Sequence, residues 1–231
     1  MNPLLYVPDL VFVALVVGVA MWVARFSLVQ ATLLLLGLLL ASLGAIVTFE
    51  PLAEAFLRWG FGPADVDITR FFWFISGLSV FALLCLCFAI VVQPFFDALP
   101  ELSGRAAAVA KWMVSILAGY LFAAFLLTLT YTLPVDRDMG GILPLEAHLR
   151  HGPIVRMAPD YQFLSLAEWV TGRRSPWTGQ PWRLGGPLAN TDIYAGRWES
   201  FPARYALWRD MLKYFFAMTD PEAYSAIDES K

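Results

Sequence analysis

The stretch LLLLGLLLASLGAIV, residues 33–47, contains no ionisable side chain and interrupts its aliphatic run only with glycine, alanine and serine. A helix or strand half-exposed to water would place polar residues at a period of 3.6 or 2, and neither period is present. An apolar run sustained over about 18 residues or more predicts a helix surrounded by lipid. Outward from this stretch, Arg25 is the only charge between Leu10 and Val47, and the stretches Phe71–Val92 and Trp112–Leu133 contain none. The whole chain follows the same bias: 231 residues, 59% hydrophobic and 15% charged, with a mean hydropathy of +0.63. Soluble domains carry about 25% charged residues.

The expected fold is an all-α membrane protein: four transmembrane helices, followed by an irregular, partly helical extramembrane C-terminal tail. Residues 1–133 form the membrane domain, with spans at about 8–24, 31–48, 70–92 and 112–133. Pro8 suits a helix's first turn and Asp9 complements the unpaired amides there. The N-terminal run lacks a basic leader and a small-x-small cleavage site, so it is expected to be retained as the first span rather than removed as a signal peptide. Arg25, Ser27 and Gln30 make a short hinge that sets the first two spans antiparallel. Glu50-Pro51 and Gln93-Pro94 are expected to close the second and third spans. Between those spans the amphipathic stretch 49–69, with Trp59, is expected to lie in the bilayer interface.

Helices in lipid associate through small residues that let backbones approach. Gly37, Ala41 and Ala45 step by four along the second span, and Ser115, Gly119 and Ala123 do so along the fourth, so these two stripes are the expected seam of the bundle. Cys85 and Cys87 lie two positions apart on a helix and point in different directions, as small hydrophobes rather than a disulfide or metal pair.

From Pro134 the composition changes. The tail, residues 134–231, holds five of the nine tryptophans and most of the arginines. Two short helices are expected in it, at about 160–171 and 202–218. The first would have Asp160 as N-cap, Phe163, Leu166, Ala167 and Val170 on one face, and Gly172 as its stop. The second carries Tyr205, Trp208, Leu212 and Phe215 at helical spacing. Between them runs RRSPWTGQPWRLGGP, residues 173–187, with no helical or strand period. Its prolines pre-set an extended backbone ahead of Trp177 and Trp182, and Arg173, Arg174 and Arg183 add planar donors. Such a stretch either docks on a partner or folds back on the chain's own spans. Arg173, Arg174, Trp177, Trp182, Arg183, Trp198, Tyr205 and Trp208 are the candidate partner-binding residues, because Trp, Tyr and Arg dominate interface hot spots.

Several functions lose ground on the same grounds. A net charge of −3 with dispersed basic residues argues against nucleic acid as a partner. No ionisable group sits at the centre of a span, as proton relays and ion pumps require. His148 and His151 could share one face of a helical turn, with the Glu146 carboxylate nearby in sequence, but the HExxH spacing is absent and no fourth metal ligand is evident. Nucleophile-elbow, phosphate-loop, dinucleotide and dithiol patterns are absent too, so no enzyme, cofactor or metal is expected.

Asp9 opening the first span, Arg25 at the tight turn, LLLLGLLLASLGAIV with the following PLAEAF, an aromatic third span and a fourth span after Ser103-Gly104-Arg105 together resemble the colicin V production protein family over about residues 5–135. The chain departs from that family in having Arg25-Phe26 where Arg-Gly is usual, and Ala106-Ala107-Ala108 where the entry is richer in glycine. The resemblance implies a four-span protein of the bacterial inner (cytoplasmic) membrane without catalytic residues. With four spans both termini share a side, and the arginine balance leans only slightly to a cytoplasmic one. The expected function is a non-enzymatic scaffold or accessory subunit, whose partners are the lipid bilayer and other membrane protein subunits. The alternative is a channel or export component built as a homo-oligomer.

Overall fold

The computed structural model of the chain describes residues 3–58, 66–96, 99, 102–133, 143–144, 149–172, 174, 176–177, 201 and 205. Among these residues the structure is helical and without strands. It comprises α1 (Val7–Val23), α2 (Leu28–Arg58), α3 (Val66–Phe96), α4 (Arg105–Leu129) and α5 (Pro159–Val170), with 3-10 turns at Pro3–Tyr6, Thr130–Thr132 and Val155–Met157. Three stretches, Leu28–Ala53, Phe71–Phe96 and Arg105–Thr132, are long and apolar enough to cross a membrane. α1 is apolar as well but has 17 residues, about 25 Å of helix.

The turn between α1 and α2 is fixed by reciprocal capping. The Gln30 amide N–H donates to the Ser27 hydroxyl at 3.3 Å, and the Ser27 N–H donates to the Gln30 side-chain oxygen at 2.9 Å. This Ser-x-x-Gln box satisfies two donors at the start of α2. The Gln30 side-chain nitrogen then donates to the terminal carbonyl of α3, at Phe96, at 3.0 Å.

α2 and α3 do not stop at their prolines. Each runs on through Pro51 and Pro94 to a length of 31 residues. A proline inside a helix removes its own N–H, so only the carbonyl four residues earlier loses its partner, and surrounding contacts can carry the helix past that gap.

The hinge joins α1 and α2, yet neither takes the other as its main partner. α1 packs chiefly on α4, and α2 packs on α3 and across on α4. The six small residues expected at the seam are all buried. Their glycines face other helices than anticipated: Gly119 lies against the backbone of Val16 in α1, where any Cβ would strike the carbonyl, and Gly37 leaves room for the ring of Phe88 in α3. Ala41, Ala45 and Ala123 join Phe12, Phe81, Leu121 and Phe125 in a common core. α3 stands at the edge of the bundle and leaves Leu83, Leu86, Ile90 and Val91 outward.

At one end of the bundle the start of α1, the end of α2, the start of α3 and the end of α4 come together. Phe49 of α2 meets Trp73 of α3 there, and Phe201 and Tyr205 of the tail complete the aromatic cluster. α5 packs on α4 at this end, with Phe163 edge-on to Phe125 at 5.9 Å. Its first residue is Pro159, so Asp160 lies inside the first turn rather than at the N-cap. Ala158, in a left-handed conformation, holds the cap position. Phe163 and Ala167 are buried as the helical face requires, whereas Val170 is exposed and Gly172, at φ 64°, turns the chain away.

Candidate functional site: a buried ion pair that fastens the tail to the bundle

The largest fully buried side chain among the described residues is an arginine, Arg150, 2% exposed. A guanidinium in a nonpolar interior is tolerated only when paired and hydrogen-bonded throughout. Arg150 meets that condition with all five donors. Nε donates to the Pro144 carbonyl at 3.0 Å; one terminal nitrogen donates to the Val155 carbonyl at 2.9 Å and to Asp160 Oδ1 at 2.8 Å; the other donates to the Tyr131 hydroxyl at 2.7 Å and to Asp160 Oδ2 at 2.8 Å. The Tyr131 hydroxyl donates a hydrogen bond to Asp160 Oδ2 and so closes the triangle. The Tyr161 ring lies 5.4 Å from the guanidinium carbon.

The electrostatics follow from the geometry. Burial by itself pulls the guanidinium's pKa down, but the hydrogen bond to Asp160 and the negative charge around it outweigh burial, and the net direction is upward. Arg150 is therefore a permanent cation. Three separate segments supply the partners: the 3-10 turn that follows α4 (Tyr131), the loop before α5 (Pro144, Val155) and the first turn of α5 (Asp160). The Thr128 hydroxyl, donating to the Ala124 carbonyl within α4, also approaches the Asp160 carbonyl at 3.5 Å.

A second fastening lies at the start of α1. Asp9 is buried, and its carboxylate accepts the Val155 N–H at 2.8 Å and the Ile154 N–H at 3.2 Å. Asp9 does sit in the first turn of its helix, as expected, but its charge also serves a loop nearly 150 residues away in sequence. Gly152 packs directly on that carboxylate, where a Cβ would collide with both oxygens.

The third fastening involves the tail's tryptophan. The Trp177 indole N–H donates to the Val47 carbonyl at 2.9 Å. In an unbroken helix that carbonyl would receive the N–H of residue 51, which is proline and has none. Further on, the Tyr205 hydroxyl bonds the Glu50 carboxylate at 3.0 Å, and the Tyr205 ring lies in the aromatic cluster, 7% exposed. Of the candidate partner-binding residues, Trp177 and Tyr205 thus contact the chain's own α2, and Trp177 keeps 60% of its surface exposed. Arg174 is exposed. Arg173, Trp182, Arg183, Trp198 and Trp208 lie outside the described residues, as do Glu146, His148 and the helix expected at 202–218, apart from Tyr205.

Sequence reasoning assigned Arg150 no role in the fold and gave Asp160 only a capping role. The Trp177–Val47 contact had a usable signal, because a proline inside a helix announces an orphaned carbonyl four residues earlier. Chemically the cluster spends its hydrogen-bonding capacity on itself and works as a clamp. No protein-family model, curated protein or solved structure matches the chain.

Proposed function

We propose that the chain is a multi-pass membrane scaffold or accessory subunit, in which α1 is a fourth span and the Trp/Arg-rich tail is the docking element for other membrane protein subunits. One observation carries this reading. Trp177 and Tyr205 attach both flanks of the stretch 178–200 to the last turns of α2, through Val47 and Glu50. Tethering both ends of a segment lowers the entropy lost when it binds, and aromatic and arginine side chains make strong anchors. Trp177 then acts as a tether, and Trp182, Arg183 and Trp198 between the tethers become the contact residues. The resemblance to the colicin V production protein family fits this placement and points to the bacterial inner membrane. Docking is favoured over a homo-oligomeric channel because Gly37 and Gly119, the closest-packing positions, are occupied by Phe88 and Val16 of the same chain.

The test is a photo-crosslinking amino acid at position 182 or 198 in native membranes. The docking reading expects one discrete protein adduct, weakened when Trp177→Phe removes the tether. Adducts to lipid alone, or to a second copy of this chain alone, contradict it.

A further inference from the structure

Towards the opposite end of the bundle lies a groove of about 610 Å³, lined by α2 and α3, Gly37 and Phe88 among them, and by Trp22 and Phe26. Phe26 stands edge-on to Trp22 at 5.5 Å and to Phe96 at 5.6 Å, which makes an aromatic arch over that end. The walls are apolar except for Gln93. Apart from Trp22 and Phe26, the residues lining it belong to two of the helices long and apolar enough to cross a membrane, and Leu86 and Ala89 among them are exposed. A groove of this size and lining takes an elongated apolar ligand.

Two polar side chains stand at the same end as the aromatic arch. Arg25, adjacent to Phe26 in the turn, is exposed, and Gln93 lies at the groove itself. Neither has a hydrogen-bonding or charged partner among the described residues. The Gln30–Phe96 bond brings the turn and the end of α3 together. A cation next in sequence to the groove-lining Phe26 and an amide in the groove's own lining match, where an apolar helix end would meet a bilayer interface, a phosphate headgroup above an acyl chain.

We infer that this groove binds one phospholipid, with an acyl chain between α2 and α3 and the phosphate held by Arg25 and Gln93. The inference presupposes that α2 and α3 lie in a membrane, and it is independent of any docking role of the tail.

Native mass spectrometry of the full chain released from nanodiscs of phosphatidylglycerol and phosphatidylethanolamine tests it. The expected spectrum has one retained lipid per chain. Ala89→Trp fills the groove from an exposed position and abolishes retention, whereas Leu83→Trp, equally exposed on α3 but outside the groove, leaves it intact. Arg25→Gln, on an exposed turn where folding is not at stake, lowers phosphatidylglycerol retention about tenfold, the loss of a charge-assisted contact. Lipid-free wild-type protein, equal retention in Ala89→Trp or Arg25→Gln, or a lipid-free dimer that Ala89→Trp dissociates would each overturn the inference.

Discussion

The Trp177 indole donates its hydrogen to the one α2 carbonyl, that of Val47, which Pro51 leaves without a helical partner. A residue from the polar tail thereby completes a helix that begins at Leu28, and the two features depend on each other.

That dependence is measurable as a coupling. Trp177→Phe keeps the ring and removes the donor, at a cost of about 1 kcal/mol in stability for one lost hydrogen bond. Pro51→Ala restores a backbone N–H for Val47, so in that background Trp177→Phe should cost close to nothing. Thermal unfolding in detergent of the two single variants and the double variant closes the cycle.

Arg150 and Asp160 should behave as a buried pair whose halves cannot be removed singly. Arg150→Met leaves an uncompensated carboxylate and is expected to destabilise by about 3–5 kcal/mol, while Arg150→Met with Asp160→Leu recovers much of the loss. Arg150→Lys should be nearly as damaging as Arg150→Met, because an ammonium has three donors where the site uses five. The same unfolding measurement ranks all three.

Two glycines in neighbouring helices should respond in opposite senses. Gly119→Ala drives a methyl into the Val16 carbonyl, which belongs to a helix backbone and cannot step aside without shifting α1. A loss of about 1–3 kcal/mol follows. Gly18 in α1 has open space around its Cβ position, so Gly18→Ala should be neutral or stabilise by up to about 1 kcal/mol.

Ala158 is the only described non-glycine residue with positive φ, at 55°. It redirects the chain from the 3-10 turn into α5. Ala158→Gly removes the Cβ penalty of the left-handed region and should raise stability by a few tenths to about 1 kcal/mol, the more flexible unfolded chain offsetting part of the gain. A melting temperature unchanged or lowered would contradict that account.

Much of the apolar helical portion was legible because an uninterrupted apolar run has few physical solutions. The charge-free stretches announced the apolar helices, and the small residues at 37, 41, 45, 115, 119 and 123 announced buried positions. Which helix each of them meets was not legible, since small side chains permit close approach without naming a neighbour. Thus Gly119 faces Val16 of α1 instead of α2. The prolines misled as helix ends because tertiary contacts override a single missing donor, and at Pro51 one such contact comes from 126 residues further along the chain. Nothing local marked Arg150, Asp160 and Tyr131 as one clamp. Its members are spread over 30 residues and become a unit only when the loop before α5 folds back on the end of α4.

Hydrogen–deuterium exchange over residues 152–164 in nanodiscs tests the clamp most directly, because the amides of Ile154 and Val155 donate to Asp9 of α1, in hydrogen bonds that exist only if this segment is seated. In the wild-type chain they should exchange as slowly as the body of α4, and in Arg150→Met they should exchange orders of magnitude faster while α4 stays protected. Rapid exchange in the wild type, or protection indifferent to Arg150, would contradict the claim that the buried ion pair fastens the tail to the bundle.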